Sequence, residues 1–123
     1  MDKAAFEDLV QSTFDRLPEK FQHVIDNVVV LVEDYPSDDI VRNMNLRSRY
    51  NLLGLYQGVP LTARGTFYGS APTVPDRIFL FQKNIESVSK TEQELHAKIY
   101  EVLVHEIAHY VGMTEEEIRA AGF

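Results

Sequence analysis

The chain has 123 residues, 45% of them hydrophobic, and it carries a net charge of −7 without any cysteine. This length and apolar content predict a single domain over residues 1–123, since two separate cores would not fit. The lack of cysteine excludes a disulfide scaffold, a thiolate metal site and a cysteine nucleophile. The acidic balance disfavours binding to polyanions, so we expect no nucleic-acid partner.

No segment of the chain is typical of a membrane protein. Its longest apolar run, Val28 to Val32, is far too short to cross a bilayer. The acidic N-terminal segment lacks the basic start and apolar centre of a signal peptide. We therefore expect a cytoplasmic, monomeric protein without a membrane partner.

The first third of the chain predicts two helical segments and a strand. From Asp2 to Leu17, apolar residues recur at steps of three and four, which predicts an amphipathic helix capped by Asp2. Pro18 can open a second, short helical turn. The run from Val28 to Val32 is mostly β-branched and apolar on both faces, which predicts a central strand covered on each side.

The middle of the chain is less strongly patterned. Residues 37–51 leave a short helix and an ordered loop equally open. Leu52 to Tyr56 predicts a short strand, and Pro60 favours an edge position for it. An edge strand can pair with an extended peptide, although an ordinary hairpin strand fits the same residues. Tyr56, Gly58 and Pro60 are therefore the candidate substrate-binding residues.

The last third predicts a strand followed by two helices. Ile78 to Phe81 has the composition of a strand. Thr91 opens a capping box, and apolar periodicity continues the predicted helix for about twenty residues, to Val111. Gly112 is the expected left-handed stop of that helix. A second capping box at Thr114 predicts a final helix that ends by Gly122.

The strongest chemical signal lies within the longer predicted helix. His105-Glu106-Ile107-Ala108-His109 forms an H-E-x-x-H box. Successive side chains on a helix lie about 100° apart, so residues four apart share a face and both imidazoles can reach one ion. The box predicts zinc bound by His105 and His109, with Glu106 as the base that takes a proton from a zinc-bound water. This is the core of a metal-dependent hydrolase.

Two histidines leave zinc one protein ligand short of an ordinary catalytic set. Gly112 permits a sharp turn, after which Glu115 can be carried back toward the ion. Glu115 could instead complement the dipole of the final helix, as acidic residues in a first turn often do. We expect Glu115 to be the third ligand, with Glu116 or a water as alternatives. Glu117 is expected to belong to the capping box.

These residues resemble a known group, the very small bacterial zincin-like metallopeptidases, sometimes called minimal metalloproteases. The resemblance rests on HEIAHYVGMTEEEI at residues 105–118 and on the segments Val28 to Asp34, Leu53 to Thr62 and Pro75 to Ile78. It implies an α/β (α+β) zincin-like fold, with a small twisted mixed sheet beside the helix that carries the box and an edge strand bordering the cleft. It also implies a Zn²⁺ cofactor, a peptide or protein substrate, and four site residues, namely His105, His109, Glu115 and Glu106.

The chain departs from the family pattern in two places. Glu115 stands where Asp is more usual, which bears on metal affinity, and the stretch from Ser37 to Tyr50 is longer than typical, which could cover or reshape the cleft. The predicted function is a zinc-dependent metallopeptidase. The alternative is a catalytically weak or inactive zincin scaffold that binds a peptide or protein. Candidate donors to the oxyanion are Tyr56, Tyr68, Tyr110 and Arg64.

Overall fold

The computed structural model describes residues 1–22, 25–58 and 75–122. Of the residues singled out from the sequence, Pro60, Arg64 and Tyr68 lie outside the described residues. In chain order the described elements are α1 (Lys3–Asp15), α2 (Glu19–Gln22), β1 (Val28–Glu33), α3 (Asp38–Asn43), a 3₁₀ turn (Arg49–Asn51), β2 (Gly54–Gln57), β3 (Asp76–Phe81), α4 (Gln82–Ser87), α5 (Glu92–Tyr110) and α6 (Glu115–Ala120).

The described strands form one mixed sheet in the order β1-β3-β2. β1 runs parallel to β3, and β2 runs antiparallel to it. β3 is therefore the middle one of the described strands, and β2 lies at one end of their order. The edge position predicted for β2 stays a prediction. The mixed helix and strand content confirms the predicted α/β (α+β) class.

β1 is covered on one face only, so the prediction of a central strand covered on both sides is wrong. Val32 is buried, whereas Val29 and Leu31 are 41% and 37% exposed. β1 also lies at the end of the described strand order opposite to β2. A continuous apolar run is typical of a doubly covered strand, but the packing of distant elements decides whether the second cover exists.

The hydrophobic core lies between one face of the sheet and the helices α1 and α5. We call this the inner face of the sheet; it carries Ile78 and Leu80, which are both fully buried. Full burial of each such side chain stabilises the fold by about 1.5–3 kcal/mol. The helices contribute residues at three- and four-residue spacing to the same cluster, among them Phe6, Val10, Phe14, Leu95, Ile99, Leu103 and Ile107.

The helix ends follow the signals predicted from the sequence. Asp2 caps α1 by accepting a hydrogen bond from the Ala5 N–H at 2.8 Å. Complete capping boxes at Thr91 and Thr114 open α5 and α6. Gly112, just after α5, has a φ of 89°, which confirms the left-handed stop. Among the described helices, none combines the length and the apolar character that crossing a membrane requires.

The stretch from Ser37 to Tyr50 contains α3 and the start of the 3₁₀ turn. Ser37 caps α3 by accepting a hydrogen bond from the Ile40 N–H. Together with Phe79 and Phe81, α3 borders a cavity of about 490 Å³ on the outer face of the sheet. These residues thus border the side opposite α5, away from the helix that carries the H-E-x-x-H box.

α4 follows β3 directly and is not predicted from the sequence. Its first turn has no side-chain cap, so the usual start signal is missing. Its buried residue Asn84 donates from Nδ2 to the carbonyl oxygens of Arg49 at 2.7 Å and Leu52 at 2.8 Å. α4 therefore ties the chain segment that precedes β2 to the core.

Candidate active site

The H-E-x-x-H box occupies the last two turns of α5. Ile107 and Ala108, inside the box, are fully buried against the core. His105, Glu106 and His109 therefore face away from the core. His105 and Glu106 are partly buried, and His109 is exposed. The apolar periodicity of α5 thus fixes which way the chemically active side chains face.

Glu106 reaches from α5 to β2, the last strand in the described order. Its Oε1 accepts a hydrogen bond from the backbone N–H of Tyr56 at 2.9 Å. Burial raises the pKa of the Glu106 carboxyl above its ordinary value, and the Tyr56 N–H and the nearby His109 and His105 partly oppose that rise. A raised pKa brings a carboxylate closer to the neutral range in which a general base works well.

The turn after α5 brings Glu115 back to His109. The N–H of Gly112 donates to the His109 carbonyl oxygen, and that of Met113 donates to the Ala108 carbonyl oxygen, each at 3.0 Å. α6 then starts at Glu115, whose Oε1 lies 2.9 Å from Nε2 of His109. The sharp turn expected from Gly112 is therefore present, and it joins two of the three predicted ligands.

The neighbouring glutamate Glu117 is used differently. Its Oε1 accepts from the Thr114 N–H at 3.2 Å, and its own N–H donates to the Thr114 hydroxyl. These two bonds form the capping box that the sequence predicts for the start of α6. Glu117 is therefore not available to the histidines.

The donor set has the chemistry of a zinc site. Two imidazoles and a carboxylate are a normal catalytic set for this ion, in which ligand atoms lie about 2.0–2.2 Å from the metal. Two such atoms at a tetrahedral angle are roughly 3.3 Å apart, so the 2.9 Å between His109 and Glu115 is close to that spacing. In residues 1–22, 25–58 and 75–122, no three His, Asp or Glu side chains are placed so that they could hold one metal ion. Ligation by His105, His109 and Glu115 stays a prediction.

Tyr56 is held at three places. Its N–H bonds to Glu106, and its hydroxyl donates to Oδ2 of Asp76 at 2.6 Å. Its ring stacks on that of Tyr110, with 4.6 Å between centroids and 16° between planes. Tyr110, another candidate oxyanion donor, is only 5% exposed and is therefore packed rather than open to solvent. The Tyr56 hydroxyl, a candidate oxyanion donor, is engaged by Asp76.

Asp76 is a residue of this site to which the sequence analysis assigns no role. It is the first residue of β3 and is only 7% exposed. Gly58 lies against it, since a Cβ at Gly58 would meet the Asp76 Cγ at 2.4 Å. The available signal was a carboxylate at the start of an apolar strand, within the segment Pro75 to Ile78. Substrate binding by Tyr56 and Gly58 stays a prediction.

Comparison with known proteins identifies the family of the chain. A model of the family described as zincin-like metallopeptidase matches residues 25–123. The chain belongs to this family. The resemblance noted from the sequence is thereby confirmed.

Among solved structures, this zincin-like chain is similar to a conserved hypothetical protein from Thermo thermophilus. The two share 22% sequence identity with a TM-score of 0.55, over 89% of this chain and 94% of that one. At this identity the likeness concerns the fold alone. A search of curated proteins found no match.

Proposed function

We propose that this zincin-like protein is a zinc-dependent metallopeptidase that hydrolyses peptide bonds, with Glu106 as general base. The observation that carries the proposal is the environment of Glu106. This carboxylate is partly buried, lies between two histidines of α5, and is held by a backbone N–H of β2. A purely structural metal site has no need of such a base.

His105, His109 and Glu115 would hold the zinc ion. In such a site zinc acts as a Lewis acid that polarises a carbonyl group and lowers the pKa of water. The 2.9 Å contact between His109 and Glu115 supports these two residues as neighbouring ligands.

Glu106 would move the proton. Oε1 is engaged by the Tyr56 N–H, so we assign proton transfer to Oε2. Oε2 would hold that proton until the leaving amine takes it. The Tyr56 bond keeps the carboxylate in one orientation throughout, which favours both transfers.

The peptide substrate would lie along β2. Gly54 and Tyr56 are opposite Leu80 and Ile78 of β3, and the Tyr56 N–H points away from β3 toward Glu106. The outward carbonyl groups of the same strand are suited to pairing with an extended peptide. A substrate held there would be adjacent to the base.

The test is Glu106→Gln in zinc-loaded protein, assayed on a mixed peptide library by mass spectrometry. We expect cleavage to fall by about 100-fold or more, with the zinc Kd from calorimetry unchanged. Glu116→Gln, a substitution of an exposed glutamate in α6, is the matched control and should retain activity.

Equal cleavage by wild type and Glu106→Gln would contradict the proposed mechanism. A wild-type protein that retains peptides without cleaving any of them would instead favour the binding-module alternative.

A further inference from the structure

We propose that Asp76 and Tyr56 form a positioning pair that aims Glu106, and that Gly58 is glycine because the Asp76 carboxylate occupies the place of its side chain. The inference rests on the proposed function, since it treats Glu106 as a base. The contacts themselves involve two strands and α5, and they can be tested without any peptidase activity.

The first step is the way in which Tyr56 is fixed. Its hydroxyl is bonded to Asp76 at 2.6 Å, and its ring is stacked on Tyr110 at 4.6 Å. With both the tip and the face of the side chain held, the backbone of β2 has little freedom to move away from α5. The Tyr56 N–H consequently stays directed at Oε1 of Glu106, at 2.9 Å.

The second step is that the backbone of Asp76 is itself held in place by the sheet. It begins the middle strand β3, and its N–H donates to the Asn27 carbonyl oxygen at 2.9 Å, where β1 pairs with β3. A carboxylate that is only 7% exposed is costly to bury unless it is hydrogen-bonded. An O–H···O⁻ bond is among the stronger hydrogen bonds in proteins, so the tyrosine hydroxyl offsets that cost.

The third step concerns Gly58. A Cβ there would lie 2.4 Å from both Cγ and Oδ1 of Asp76 and 2.8 Å from Oδ2. Even alanine would force the carboxylate to shift, and the shift would strain its bond to Tyr56. Gly58 therefore protects the same contact that Tyr56 makes. The end of β2 and the start of β3 thus act together, through Tyr56, on the orientation of Glu106.

A positioning role and a merely structural role give different results. A structural pair would affect global stability and leave the local contact to Glu106 unchanged in any variant that folds. If the pair has a positioning role, breaking it should specifically weaken the hydrogen bond from the Tyr56 N–H to Glu106. It should also lower kcat while KM and zinc affinity stay nearly constant, because the Tyr56 hydroxyl is engaged by Asp76 and its removal alters neither the backbone of β2 nor a predicted zinc ligand.

The first experiment measures amide hydrogen exchange by NMR in the metal-free protein. Tyr56→Phe should raise the exchange rate at position 56 by about tenfold or more, relative to global opening. The Leu55 amide, within the β2–β3 pairing, should keep its protection. Tyr100→Phe, which removes a hydroxyl from an exposed tyrosine of α5, is the control. Unchanged protection at position 56 would overturn the proposal.

The second experiment measures kinetics of the zinc-loaded protein. Tyr56→Phe and Asp76→Asn should each lower kcat about tenfold or more, with KM and zinc Kd within about twofold. Gly58→Ala should lower kcat in the same way, because its Cβ displaces the Asp76 carboxylate. The double variant Tyr56→Phe with Asp76→Asn should be no slower than the slower single variant, since both remove the same bond. Independent, multiplicative losses would overturn the proposal.

The two experiments separate failure of the inference from failure of the proposed function. If the wild type cleaves no peptide, the peptidase proposal fails, while the exchange rates still decide whether Asp76 and Tyr56 hold the contact to Glu106. If Asp76→Asn does not fold, Tyr56→Phe still decides whether the pair has a positioning role. This variant removes only one hydroxyl group and should therefore fold.

Discussion

Glu106 links the chemistry of the site to the stability of the chain. Its carboxyl pKa is raised in the folded protein, mainly by burial. The folded state therefore holds the proton more tightly than the unfolded state. The stabilisation that comes from this difference is complete below the unfolded-state pKa and is lost as pH rises through the folded-state pKa. At neutral pH the ionised carboxylate is thus a destabilising group in the metal-free protein.

Glu106→Gln should stabilise the metal-free protein at neutral pH, by about 1 kcal/mol. Glutamine keeps an oxygen that can accept from the Tyr56 N–H but carries no charge. Urea unfolding in the presence of a chelator, at pH 7 and near pH 4, measures the effect. The advantage should shrink at the lower pH, and Glu116→Gln should show none; an advantage that does not depend on pH would contradict this explanation.

The assignment of Glu115 as third ligand is tested by zinc calorimetry on single alanine variants. His109→Ala and Glu115→Ala should each raise the zinc Kd by about 100-fold or more, because each removes a direct ligand. Glu116→Ala alters the adjacent exposed residue and should leave the Kd unchanged. The reverse order for Glu115 and Glu116 would transfer the role to Glu116, the alternative that the sequence left open.

Between the elements, the connection of α5 to α6 depends on Gly112, which has a φ of 89°. Gly112→Ala should destabilise the protein by about 1–2 kcal/mol, since a Cβ disfavours left-handed backbone, and it should weaken zinc binding by displacing Glu115. Gly112→Asn should be milder on both counts. Thermal unfolding and zinc calorimetry are the measurements.

Gly122 provides the matched control for that prediction. Its φ is 90°, and a Cβ there would meet nothing within 4 Å. Gly122→Ala therefore introduces the same backbone strain after α6, away from His109 and Glu115. If it weakens zinc binding as much as Gly112→Ala does, the effect is not transmitted through the position of Glu115.

The elements predicted well from the sequence are those with local start and stop signals. α1 has Asp2 as its cap, α5 has Thr91, and Gly112 ends α5. α4 has no side-chain cap and follows β3 without a turn, so it carries no comparable signal. The exposure of Val29 on β1 depends on what packs against the outer face of the sheet, which an apolar run does not encode.

The candidate site likewise has one part that the sequence predicts and one part that it does not. The box at His105 to His109 is predictable because residues four apart share a helix face. The contacts of Tyr56 are not predictable by such a rule. They join residues separated by 50 positions, to Glu106, and by 20 positions, to Asp76. Such contacts follow from strand register and from the way α5 crosses the sheet, and neither is a property of a local segment.

At the scale of the whole molecule, the sheet and α5 lie close together at Gly54. A Cβ there would lie 2.5 Å from Cγ1 of Val102 and 3.1 Å from the carbonyl oxygen of Phe79. Gly54→Ala should therefore destabilise the protein by about 1–3 kcal/mol through overpacking. Adding Val102→Ala should recover part of the loss, because it removes the atom that is too close. Urea unfolding of both single variants and the double variant measures the coupling, and strictly additive losses would contradict it.

The hydrophobic core is built from α1, α2, β1, β3, α4 and α5 and includes none of the predicted zinc ligands. Folding of this core should thus not require the ion, in contrast to small domains in which metal binding and folding are a single event. The protein would then meet zinc as an already folded receptor. The fraction of protein with bound zinc would follow the free zinc concentration of its surroundings. A shortage of the metal would leave the protein inactive but still folded, and so not exposed to degradation.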